Sequence, residues 1–147
     1  MLTRDFMNWL GEQPLDGQEM PVIYQGPVGP PSEPRKYLVV TPVGGGSMQV
    51  DGHIEARAFQ VKVVGRMGLS AATWNDVFAE TEQLARDIDK VIITAGRPVI
   101  GGEQVVYISR FGSTPQGSPA GQPLDSANRP SFQAMYVVEA ESSIYES

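Results

Sequence analysis

The sequence predicts an α+β fold: a mainly antiparallel sheet of four to five strands, an N-terminal helix and one long central helix packed on it, and a long loop between the last two strands. Three observations lead there. Apolar residues recur at helical spacing from about Thr73 to Val91, and they alternate with period two from Glu55 to Val64. Between Val105–Phe111 and Phe132–Ala140, both rich in β-branched and aromatic residues, lies Gly112–Ser131, a run of Gly, Pro and Ser too long for an ordinary connection. A chain of 147 residues fits a single domain, residues 1–147, with a core large enough to fold without staples.

The elements follow in order. Leu2, Phe6, Trp9 and Leu10 share one face of a short amphipathic helix that ends near Gly11–Pro14. From Gln13 to Ser32 five prolines remove backbone donors, so only Val22, Ile23 and Tyr24 can form a brief edge strand. Arg35–Thr41 is a continuous β-prone run that Pro42 and Gly44–Gly46 are expected to end. A Gly, Ser and Asp loop leads to Glu55–Val64, where Phe59, Val61 and Val63 line one face and Ala58, Gln60 and Lys62 the other. In the long helix, Trp74, Val77, Phe78, Leu84, Ala85, Ile88 and Val91 form the apolar stripe, and Gly96 and Pro98 mark its end. No internal repeat is visible.

Composition excludes several classes of function. Hydrophobic residues at 41% and charged residues at 19% describe a chain that folds, and the absence of cysteine removes disulfides, thiolate metal sites and cysteine nucleophiles. A net charge of −6 with only 11 Lys and Arg disfavours sequence-reading of nucleic acid, which rests on neutralising phosphates. No apolar run approaches the roughly 20 residues needed to cross a bilayer, and the first residues lack the basic and apolar regions of a signal peptide. The expectation is a soluble, intracellular, unprocessed protein without a membrane partner.

Site chemistry is equally sparse. His53 is the only histidine and lies in a loop beside Asp51 and Glu55, too few ligands for a transition metal, so neither a metal nor another cofactor is expected. Gly44–Ser47 lacks the strand-to-helix context of a nucleophile elbow and the lysine of a phosphate loop. Asp76, Glu80, Asp87 and Asp89 on the long helix, and Glu139 and Glu141 in the last strand, read as solvated charge. Trp9 and Trp74 sit at core positions, and Phe111 and Phe132 flank the long loop, either anchoring it or meeting a partner. The chain is not expected to be an enzyme.

The order of elements resembles the tail terminator proteins of long-tailed bacteriophages, also called minor tail or minor capsid proteins. The likeness runs through Tyr37–Gly46 (YLVVTPVGGG), Arg57–Gly65 (RAFQVKVVG), Trp74–Val91 and Arg129–Glu139 (RPSFQAMYVVE). It implies a structural virion protein at the head-proximal end of the tail, assembled in the host cytoplasm. Copies would form a ring, usually of six, that caps the tail tube, ends its elongation and joins the head connector proteins, while DNA passes through without sequence-specific binding. The long loop then becomes an intersubunit or tail-contacting arm, with Ser113, Gln116, Leu124, Asp125, Asn128 and Arg129 as contact candidates. Two alternatives stand beside this: a neighbouring head–tail connector or tail completion protein, and a small ligand-binding or enzymatic α+β domain using the helix carboxylates.

Overall fold

The computed structural model describes residues 1–27, 30, 32–51, 54–67, 73–117 and 129–141. Helix α1 (Thr3–Gly11) starts where the Asp5 carboxylate accepts the Leu2 backbone N–H at 2.9 Å, which satisfies one of the donors a helix start leaves open. Its buried residues are Phe6, Trp9 and Leu10, and the Phe6 ring stacks on Phe59 with centroids 4.5 Å apart. Strand β1 (Val22–Gln25) runs parallel to the first residues of β2 (Tyr37–Asp51). Strand β3 (Ile54–Val64) pairs antiparallel with β2, and helix α2 (Trp74–Ile93) follows. Strands β4 (Val99–Ile100), β5 (Glu103–Gly117) and β6 (Ser131–Glu141) complete a sheet of order β1-β2-β3-β6-β5-β4.

This corrects the expected fold class. The described residues form a six-stranded mixed sheet that curls into a half-barrel, not a mainly antiparallel sheet of four to five strands dominated by one long central helix. Three local causes account for the difference. The expected brief edge strand at Val22–Tyr24 forms as β1, with Pro21 and Pro27 outside it, but it pairs parallel to β2, which makes the sheet mixed. Val99–Ile100 and Glu103–Gln104 are joined by Gly101 and Gly102, both at positive φ (59° and 79°), the two-residue turn that suits a tight hairpin. The glycines expected to end two strands sit inside them: β2 continues past Gly44–Gly46 to Asp51, and β5 continues past Gly112 to Gly117. In each place the register shifts, between Val43 and Met48 and between Phe111 and Gln116. Such irregularities bend and twist a long strand rather than stopping it, which lets the sheet curl. The expected loop after Phe111 therefore loses its first residues to β5; residues 118–128 lie outside the described set.

Strand alternation decides what the sheet buries. Phe59, Val61 and Val63 of β3, Phe132, Tyr136 and Val138 of β6, Leu38 and Val40 of β2, and Val105 and Ile108 of β5 pack with Phe6 and Leu10 of α1 and Leu84, Ile88 and Ile92 of α2. The interior also contains a polar clamp. The Tyr136 hydroxyl donates to Asp89 Oδ1 at 2.7 Å and Arg110 Nη1 donates to Asp89 Oδ2 at 2.6 Å, which ties α2 to β6 and β5 at once. Burial, then the hydrogen bond to Asp89, pushes the Tyr136 phenol far above its ordinary range, so it stays a donor. Asp89, expected as solvated helix charge, is a structural acceptor instead.

Candidate functional site

The two helices cover one face of the sheet, and the residues between the buried positions point to the other. On that second face the pairing sets three levels. Thr41, Gln60, Met135 and Phe111 lie side by side across β2, β3, β6 and β5. Val43, Ala58, Val137 and Ser109 form the next level, and Ala56, Glu139 and Tyr107 share the one beyond. The middle of this face is apolar. Phe111 is 67% and Tyr107 59% exposed, Val43 is exposed, and Ala58, Met135 and Val137 are half-buried. Contiguous apolar surface of this kind on a soluble domain marks an interaction site more often than a lone exposed side chain does.

One end of the same face is closed. Tyr24, Tyr37, Val39 and Val64 form a second small apolar cluster there, with the Tyr24 ring edge-on to Tyr37. Arg129 is packed into it at 0% exposure, its guanidinium 5.3 Å from the Tyr37 ring centre. Arg129 Nη1 donates to the carbonyls of Arg35 and Gly65, both at 3.4 Å, and Nη2 donates to the carbonyl of Glu33. The adjacent Pro130 carbonyl accepts the Gly65 N–H at 2.9 Å. Glu33 itself accepts from Arg35 Nε at 2.9 Å and from the Tyr24 hydroxyl at 3.1 Å. Hydrogen bonds from Arg35 hold the Glu33 carboxyl down at about 2, while desolvation and the Glu33 partner raise the Tyr24 phenol.

A cavity of about 280 Å³ lies on the helix side of this knot, between Gly65 and Arg66 and the α2 residues Val77, Glu80, Thr81 and Leu84. Its polar groups already hold partners. Arg66 Nε donates to Glu80 at 3.2 Å, and the Thr81 hydroxyl donates to the Val77 carbonyl at 2.6 Å. Among the described residues no three His, Asp or Glu side chains gather as a metal site, and no helix is long and apolar enough to cross a membrane.

The expected contact residues fall in different places. Gln116 lies near the end of β5 opposite Gln133, and it is exposed. Ser113 belongs to the β5 backbone. Leu124, Asp125 and Asn128 lie outside the described residues, as does His53. Arg129 is interior, a brace between the start of β6, the end of β3 and the segment before β2 rather than an outward contact. Nothing in the sequence singles out Tyr107, although Val105–Phe111 carries apolar residues at both odd and even positions, so a strand with only one covered face must expose one set. Nothing in the sequence distinguishes which set that is, because the register shift between Val105 and Tyr107 decides it.

Comparison with known proteins adds little. No family model matches the chain, and no curated protein does. Among the solved structures that match, one aligns over 92% of this chain and 88% of its own at 19% identity, with a TM-score of 0.37.

Proposed function

We propose that this chain is a structural subunit of the phage tail terminator type: copies assemble into a ring, six by resemblance, that caps the tail tube at its head-proximal end, stops its growth and presents a surface to the head connector. The observation that carries this reading is the helix-free sheet face, where Tyr107, Phe111 and Val43 surround half-buried Ala58, Met135 and Val137. An apolar face of that kind suits lasting contact with other subunits. The chain's −6 charge suits a wall past which DNA slides, since like charge keeps phosphates from adhering. Element order along the chain, from YLVVTPVGGG to RPSFQAMYVVE, agrees with the same reading.

The test is genetic and microscopic. Removing the gene from the phage that encodes it should give tails of uncontrolled length, or heads and tails left unjoined, in electron micrographs, and the purified protein should restore joining. Normal-length, joined tails in the deletion overturn the proposal. Binding of the purified ring to isolated heads but not to tail tubes assigns it instead to the neighbouring connector.

A further inference from the structure

Five of the chain's 11 Lys and Arg residues stand at one end of the sheet, in a molecule whose net charge is −6. Arg35 and Lys36 lead into β2, Lys62 and Arg66 lie on either side of the end of β3, and Arg129 precedes β6; the register Tyr37–Val64–Ser131 brings those three ends level. Arg129 is engaged inside the fold, and Lys62 lies beside Gln133 on the helix-free face. The other three line the cavity of about 280 Å³ against α2. Arg35 and Lys36 also line a neighbouring hollow of about 370 Å³, with Met20, Pro21 and Val22, so the two spaces meet at these side chains as one groove. Its rim is fixed, because the Met67 N–H donates to the Pro34 carbonyl at 3.0 Å.

The chemistry of the groove selects its occupant. Val77, Thr81 and Leu84 close the floor of the first hollow beneath Pro34, and its Arg66, Glu80 and Thr81 groups are bonded within the chain. That space suits an aliphatic side chain, since a polar one entering it finds those groups already partnered. Lys36 differs from its neighbours. Arg35 pairs with Glu33 and Arg66 with Glu80, whereas Lys36 is half-buried, donates to the neutral Gln18 Oε1 at 2.7 Å and forms no ion pair among the described residues. An ammonium drawn partly out of water gains most from a carboxylate. Glu19 lines the second hollow, which leaves the place for an incoming carboxylate at Lys36 itself. Nucleic acid would bring charge to this end of the sheet but no aliphatic side chain for the hollow. We infer that the groove binds an extended acidic segment of a partner protein, one aliphatic side chain seated over Val77 and Leu84 and a neighbouring carboxylate on Lys36. The local positive charge steers and orients such a segment, and the hollow supplies selectivity. The site is apart from the Tyr107 and Phe111 face, so it goes beyond the ring reading and does not rest on it.

Fluorescence anisotropy with labelled peptides tests it. The peptide EELEE should bind the purified protein saturably, EESEE at least tenfold more weakly, and KKLKK not at all. Lys36→Gln should weaken EELEE at least tenfold with an unchanged melting temperature; should that variant fail to fold, Arg66→Gln on the exposed rim should weaken it at least threefold. Equal binding of EELEE and EESEE, or binding of a labelled DNA oligonucleotide that matches EELEE and falls equally in Lys36→Gln, means that charge alone is read and overturns the inference. So does an absence of saturable EELEE binding up to ~1 mM, or binding that neither variant weakens. Smaller self-assembled species for Lys36→Gln in sedimentation velocity make a second copy the occupant and overturn it as well. The gene deletion reports separately: normal, joined tails sink the terminator reading and leave the groove's peptide binding untouched.

Discussion

Arg129 shows how far a residue's type can mislead about its place. An arginine after a Gly, Pro and Ser run reads as surface charge, yet its fork spans the carbonyls of Glu33, Arg35 and Gly65 inside the fold. Arg129→Ala leaves those acceptors unserved and opens a cavity beside Tyr37, so we expect a loss of about 2–5 kcal/mol in urea unfolding. Arg129→Lys recovers little of it, because a single ammonium cannot reproduce the planar fork. A change below about 0.5 kcal/mol in either variant contradicts the bracing role. The Tyr136–Asp89 bond gives a second case: Tyr136→Phe removes the donor to Asp89 Oδ1 and should cost about 1–3 kcal/mol, with the fold intact by circular dichroism. Glu33 adds a pH signature. Its folded pKa, near 2, lies below the unfolded value of 4.5, so the unfolded chain binds more protons between those pH values. The contribution is complete above pH 4.5 and fades as pH falls toward 2. Wild-type melting temperature should therefore drop more steeply from pH 5 to 2.5 than that of Glu33→Gln; parallel curves refute the link.

At the scale of elements, legibility tracked periodicity. The Phe59, Val61 and Val63 face of β3 and the stripe of α2 are readable because burial imposes a repeat on the sequence, and the observed core holds them or packs against them except for Trp74, which is half-buried and stacks on Phe78. Glycine and proline misled, because they announce a break in local geometry without saying whether a neighbouring strand bridges it. Gly44–Gly46 and Gly112 became irregularities within β2 and β5, since β3 and β6 continue beside them. The hairpin at Gly101–Gly102 carried a sequence signal, two glycines between Val99–Ile100 and Glu103–Gln104, that strand length alone concealed. The exposed apolar face is the least legible feature, because it depends on which parity of β5 the helices cover. Gly117 tests the extended strand directly. A Cβ there would sit 2.7 Å from Phe132 Cε1, so Gly117→Ala should cost about 1–3 kcal/mol, measured by thermal or urea unfolding. Were Gly117 in open loop, the substitution would be neutral or mildly stabilising.

For the whole molecule, the proposed assembly sets two long-range effects against each other. Burial of the Tyr107, Phe111 and Val43 surface favours association, whereas each added copy brings another net charge of −6 beside its neighbours. The apolar contacts act at touching distance, while the repulsion extends over the Debye length, about 10 Å at 0.1 M salt and about 30 Å at 0.01 M. Screening therefore weakens the opposing effect and leaves the attraction in place. Self-association should strengthen as sodium chloride rises from ~20 to ~300 mM, seen as a shift toward larger species in sedimentation velocity at fixed protein concentration. The double variant Tyr107→Ser/Phe111→Ser should stay smaller at every salt concentration, while its melting temperature remains close to wild type, because both side chains are more than half exposed. If rising salt instead dissolves the assembly, charge pairs rather than the apolar face hold the copies together, and the interface lies elsewhere on the molecule.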